Sequence, residues 1–130
     1  MTLTFNYVGL ITADMPAALA FYRKLGLDIP AGAESEGHVE ITLPGGIRIA
    51  WDSEDEIRKF DPNWRQPTAP GRINFAVQCG SPAEVDKLYG ELVAAGHPGH
   101  REPWDAFWGQ RYASVLDPDG NSIDVYAPLS

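Results

Sequence analysis

The stretch YVGLITADMPAALAFYRKLG, residues 7–26, decides the fold, because residues 72–96 repeat its plan. Its opening alternates in the period-two manner of a half-buried strand, Val8 and Leu10 facing one way and Tyr7, Gly9 and Ile11 the other. Asp14 is placed to cap a helix whose first turn tolerates Pro16, since the first N–H groups of a helix have no partner to lose. Ala18, Phe21, Tyr22 and Leu25 fall at i, i+3, i+4 and i+7 and make one apolar stripe, and Gly26 follows as the left-handed stop. In the second copy Arg72–Val77 alternates again, with Ile73, Phe75 and Val77 on the apolar side. Ser81-Pro82-Ala83-Glu84 is a capping box with proline at the first helical position. Val85, Leu88, Tyr89 and Leu92 repeat the stripe, and Gly96 closes it. The two helices are offset by 67 positions (18 to 85, 22 to 89), a match that chance rarely supplies.

Three strand-like segments are expected after each helix: 26–30, 38–43 and 47–51 in the first half, then 96–102, 110–116 and 121–126 in the second. Pro44-Gly45-Gly46 and Asp117-Pro118-Asp119-Gly120 are the intervening turns. The chain therefore reads as βαβββ twice, an α+β fold with helices on the outer faces of curved, mixed, largely antiparallel sheets around a cleft. One domain over 1–130 is expected, with module one at 1–52, a linker at 53–70 and module two at 71–130. In the linker, Ser53-Glu54-Asp55-Glu56 is read as the start of a short helix ending near Phe60.

Composition removes several function classes. The 130 residues carry a net charge of −8, which repels phosphate backbones and argues against a nucleic-acid partner. The single thiol, Cys79, forms no internal disulfide, so a reducing cytoplasm is the expected compartment. No stretch approaches the roughly 18 apolar residues that cross a bilayer, and the first residues lack the pattern of a signal peptide. His97 and His100 flank Pro98-Gly99 and read as a surface loop, His38 as a strand residue near solvent, and Cys79 as structural.

Leu19-Ala20-Phe21-Tyr22-Arg23-Lys24-Leu25-Gly26 resembles the helix end of the glyoxalase / bleomycin-resistance / extradiol-dioxygenase group, the vicinal oxygen chelate superfamily. Asp117-Pro118-Asp119-Gly120-Asn121 is similar to its second signature, and Trp108-Gly109-Gln110-Arg111 matches a further common pattern. The resemblance spans nearly the whole chain. It implies a His or Glu ligand set at four strand positions in metal-using members. Carried across, those positions fall on Tyr7, on Ala50 or Arg48, on Arg72 and on Asp124. That set has no histidine and one carboxylate, and Arg72 would put a permanent cation where a metal belongs. The expectation is therefore no cofactor and no metal.

Aromatic residues are numerous for this length. Trp51, Phe60, Trp64, Trp104, Phe107 and Trp108 are candidates to stack on a planar ligand, several of them in loop-like stretches. Tyr7, Arg48, Arg72, Asn74, Arg111, Asp124 and Tyr126 are candidates for its polar contacts, and an Arg72–Asp124 ion pair is the competing structural role. The function expected is metal-free binding of a bulky aromatic small molecule, of the antibiotic-sequestering kind, by a homodimer that the resemblance implies. Its alternative is a metal-dependent lyase, isomerase or dioxygenase, with Asp124 joined by Asp52 or Glu40. Metal-free acid–base catalysis by Tyr7 or Asp124 is a third possibility.

Overall fold

The computed structural model describes residues 1–2, 4–68 and 73–130. The chain divides into two compact units, Met1–Gln66 and Pro67–Ser130.

Unit 1 runs β1 (Tyr7–Thr12), α1 (Met15–Lys24), a 3-10 turn (Ala33–Ser35), β2 (His38–Thr42), β3 (Arg48–Ser53) and α2 (Glu54–Phe60). Asp14 caps α1 by accepting the Ala17 N–H at 3.1 Å. The apolar stripe of α1 buries Ala18, Phe21 and Tyr22, and Trp51 of β3 packs on Tyr22 with ring centroids 5.4 Å apart. The sheet order is β1-β3-β2, with β1 parallel and β2 antiparallel to β3. Residues 26–30, expected as a strand, are irregular. Arg23 takes the backbone acceptors a ladder would need, donating to the Ile29 carbonyl at 3.2 Å and the Pro30 carbonyl at 2.6 Å. The short helix beginning after Ser53 is present as α2, and Ser53 Oγ accepts the Glu56 N–H.

Unit 2 runs β4 (Asn74–Gln78), α3 (Pro82–Ala94), β5 (Gly99–Ala106), β6 (Gln110–Leu116) and β7 (Ser122–Pro128). Ser81 and Glu84 act as the capping pair: Ser81 Oγ accepts the Glu84 N–H, and Glu84 reaches back to the Gly80 N–H at 2.6 Å. The sheet order is β4-β7-β6-β5, with β4 parallel to β7 and the other pairs antiparallel. In both units, then, the first strand lies parallel to the last, as a duplication requires. Helix α3 covers one face of this sheet, and Val85, Leu92, Ala113, Val115, Ile123, Val125 and Ala127 are all fully buried. Each Val, Leu or Ile buried this way contributes roughly 1.5–3 kcal/mol. Asp117 builds the β6–β7 turn, accepting the N–H groups of Asp119 and Asn121 and the Asn121 side-chain amide. Among the described residues, no helix is long and apolar enough to cross a membrane.

Candidate functional site

Alternation along β6 and β7 separates the two faces of the unit 2 sheet. Ala113, Val115, Ile123, Val125 and Ala127 are buried on the α3 side, which leaves Tyr112, Ser114, Asp124 and Tyr126 on the other. Cross-strand register sets Tyr112 opposite Tyr126, Ser114 opposite Asp124, and Trp104 of β5 opposite Tyr112. The rings form a series. Trp104 meets Trp108 at 5.5 Å, Trp108 meets Tyr112 at 5.3 Å, both edge-to-face, and Tyr112 stacks with Tyr126 at 6.1 Å. Phe107 flanks Trp108 at 5.0 Å and is 91 % exposed, while Trp108 itself is 48 % exposed. Trp108 Nε1 donates to Gln110 Oε1 at 2.8 Å, which fixes the indole at the hairpin tip.

Beside the rings lies Asp124, only 6 % exposed. Its Oδ2 accepts from Asn74 Nδ2 and Tyr112 Oη, and its Oδ1 accepts from Ser114 Oγ, each at 2.6 Å. Three neutral donors thus satisfy a buried carboxylate that would otherwise be costly. Desolvation, and then the hydrogen bond to Asp124, push the Tyr112 phenol up to about 12, so its proton stays committed to the carboxylate at physiological pH.

The remaining sequence candidates fall elsewhere. Arg111 points to the α3 side, where it donates to both oxygens of Asp86 (2.9 and 3.3 Å) and to Asp105 (3.1 Å), so it does not face the rings. Trp51 is fully buried in unit 1 against Tyr22 and offers no surface to a ligand. Tyr7 and Arg48 sit on the unit 1 sheet, with the guanidinium 4.9 Å from the ring centroid. Arg48 donates to Glu40 (3.2 Å), and His38 lies between Glu40 (3.3 Å) and Asp52 (2.6 Å). The hydrogen bond to Asp52 raises the His38 pKa, and burial followed by the charges of Asp52 and Glu40 raises that of Tyr7. Phe60 is 75 % exposed at the end of α2, and Trp64 carries the Arg58 guanidinium 5.2 Å above its ring. Arg72, and with it the expected Arg72–Asp124 pair, lies outside the described residues.

Register bears directly on the metal positions. In unit 1, Tyr7 lies two residues before Gly9, the parallel partner of Ala50. In unit 2, Asn74 stands in that same relation to Asp124, whose parallel partner is Ala76. The counterpart of Tyr7 by structure is therefore Asn74, where sequence comparison selects Arg72. By residue type these places carry a phenol, a methyl group or the Arg48 guanidinium, an amide, and one carboxylate that already accepts three hydrogen bonds. That set does not fit a divalent metal, which needs several converging imidazole or carboxylate ligands. Among the described residues no other group of three His, Cys, Asp or Glu side chains is arranged to hold one. Glu40 and Asp52 are engaged with His38 and Arg48.

Sequence reasoning passed over Ser114 and Arg101 and did not place Tyr112 in the site. For Tyr112 and Ser114 the signal was present, in the same alternation that selected Asp124 and Tyr126. Arg101 lies 4.0 Å over the Trp104 ring, and no alternation rule finds it.

The family model described as Glyoxalase/Bleomycin resistance protein/Dioxygenase superfamily matches residues 4–125, and the chain belongs to that superfamily. No curated protein matches it. Among solved structures, a glyoxalase/bleomycin resistance protein/dioxygenase family enzyme from Burkholderia phytofirmans PsJN superposes with a TM-score of 0.81 at 21 % identity, covering 98 % of this chain and 100 % of that one. A glyoxalase-related enzyme from Fulvimarina pelagi gives 0.79 at 21 % identity, with 97 % and 88 % covered. A glyoxalase/bleomycin resistance protein/dioxygenase from Nocardioides gives 0.71 at 27 % identity, with 100 % and 86 % covered.

Proposed function

We propose that the face of unit 2 opposite α3 binds a planar aromatic small molecule, an antibiotic-like compound held rather than transformed, with no catalytic metal. The observation that carries this is the ring series Trp104–Trp108–Tyr112–Tyr126 lying beside a carboxylate whose oxygens are already occupied by donors. A metal site needs free donor lone pairs, and a binding shelf needs exposed ring surface with a fixed polar edge. The exposed faces of Trp108 and Phe107 supply such surface. Covering it removes apolar area from water, and each well-placed ring pair adds roughly 0.5–1.5 kcal/mol beyond that area.

A panel of planar aromatic antibiotics, titrated in chelator-treated buffer while following tryptophan emission, tests the proposal. Saturable quenching is expected, and Trp108→Ala should weaken it about 3- to 10-fold, the loss of one such ring pair. Absence of saturation below about 100 μM, equivalent to only roughly −5.5 kcal/mol, argues against binding. A stoichiometric divalent ion in protein purified without chelator, required for the signal, argues for the metalloenzyme alternative.

A further inference from the structure

Arg101 and Trp104 are three residues apart in β5, a spacing that in a regular strand sends side chains to opposite faces. The β5–β6 register breaks between Gly99 and Arg101 and again between Arg101 and Trp104. These irregularities bring both side chains to one place: the Arg101 guanidinium lies 4.0 Å from the Trp104 ring centroid. In the register Arg101 pairs with Ser114, whose hydroxyl holds Asp124, so the cation belongs to the same face as the rings. Pro103, which cannot donate to a ladder, is tolerated here because β5 is the sheet's edge strand.

The charge on Arg101 is also unmatched. Arg23, Arg48, Arg58 and Arg111 each lie within ion-pair distance of a carboxylate; among the described residues Arg101 and Arg65 have none, and Arg65 donates to the Trp64 carbonyl in unit 1. A guanidinium resting on an indole is held by cation–π attraction while its rim of N–H donors stays open, and that rim matches a carboxylate in bidentate fashion. Asp124 keeps its negative charge, with its oxygens turned to Asn74, Tyr112 and Ser114. The net charge of −8 acts over distances that salt screens beyond about 8 Å. A carboxylate in direct contact with the guanidinium is closer to that cation than to Asp124, so the attraction outweighs the repulsion.

Building on the aromatic-ligand proposal above, we propose that Arg101 is a specificity-determining residue. It takes the carboxylate of an aromatic acid whose ring lies on the tryptophan–tyrosine series. This is the polar role that the sequence suggested for Arg48, Arg72 and Arg111; Arg48 and Arg111 are committed to other partners, and Arg72 lies outside the described residues.

The test uses three matched probes, 2-naphthoate, 2-naphthamide and 2-naphthylmethylamine, titrated into wild type, Arg101→Lys and Arg101→Ala. In wild type the acid should bind about tenfold more tightly than the amide, the usual scale of a charge-assisted hydrogen bond. Raising salt should weaken the acid relative to the neutral amide. Arg101→Ala should bring the acid-to-amide ratio to about one, and Arg101→Lys should give an intermediate value. Using the ratio makes the amide an internal control for folding and for ring access. Equal binding of acid and amide in wild type, tightest binding of the amine, or an acid preference that survives in Arg101→Ala overturns the role of Arg101 and leaves the aromatic shelf standing. Failure of all three probes to bind overturns both.

Discussion

Asp124 and its three donors carry most of the local chemistry. A carboxylate that is 6 % exposed loses most of its hydration, and only the hydrogen bonds from Asn74, Tyr112 and Ser114 offset that loss. Tyr112→Phe removes one of them, and a destabilisation of about 1–3 kcal/mol is expected in chemical denaturation at pH 7. The phenol's folded pKa, about 12, is above its unfolded value near 10. The Tyr112 contribution is therefore complete below about pH 10 and fades as pH rises toward 12. The gap between wild type and Tyr112→Phe should narrow over that window; a gap that widens there contradicts the assigned hydrogen bond. At this scale the sequence was partly legible. Parity along β7 picks out Asp124 and Tyr126, and Asn74 was in view as a polar contact. Arginine, however, is a residue type that suggests ligand contact wherever it stands. The alternation along β6 already put Arg111 on the face of Ala113 and Val115, away from Tyr112; what it did not show was the partner there, Asp86, 25 residues away in another element.

The β5–β6 hairpin presents Trp104 and Trp108, and its packing decides how firmly the rings are held. On its other face Arg111, in β6, joins the hairpin to α3 through Asp86 and ties β6 to β5 through Asp105. Arg111→Ala should cost about 1 kcal/mol or less in global stability, since both pairs are partly solvated. It should nonetheless speed amide hydrogen exchange in 99–116 relative to β7; unchanged exchange in the hairpin means the arginine does not anchor it. Elements were the most legible level. Both long helices follow from capping residues and stripes, and α2 from Ser53 and its acidic first turn. The misses are places where a tertiary contact overrides local pattern. Arg23 takes the carbonyls that would have made 26–30 a strand, and the irregularities flanking Arg101 turn a side chain to a face that counting residues does not predict.

Across the molecule, the repeated plan and the family assignment agree: each unit lays its first strand parallel to its last, and the superfamily match spans residues 4–125. The same repeat shows Asn74 as the structural counterpart of Tyr7; the 67-position offset of the helices, carried back to the first strand, already leads from 7 to 74, whereas the family resemblance had pointed to Arg72. The superfamily fixes the fold and leaves the activity to the side chains placed on it. Here those side chains are rings and a buried carboxylate held by three donors. The most direct measurement is a two-dimensional 15N spectrum of the four tryptophan indole N–H groups during titration with a bound aromatic acid, in the presence of chelator. Shifts are predicted for the indoles of Trp104 and Trp108, together with the backbone of Tyr112, Asp124 and Tyr126, while Trp51 and Trp64 stay in place. Shifts confined to Trp64 or Trp51, or shifts that appear only after a divalent metal is added back, contradict the account.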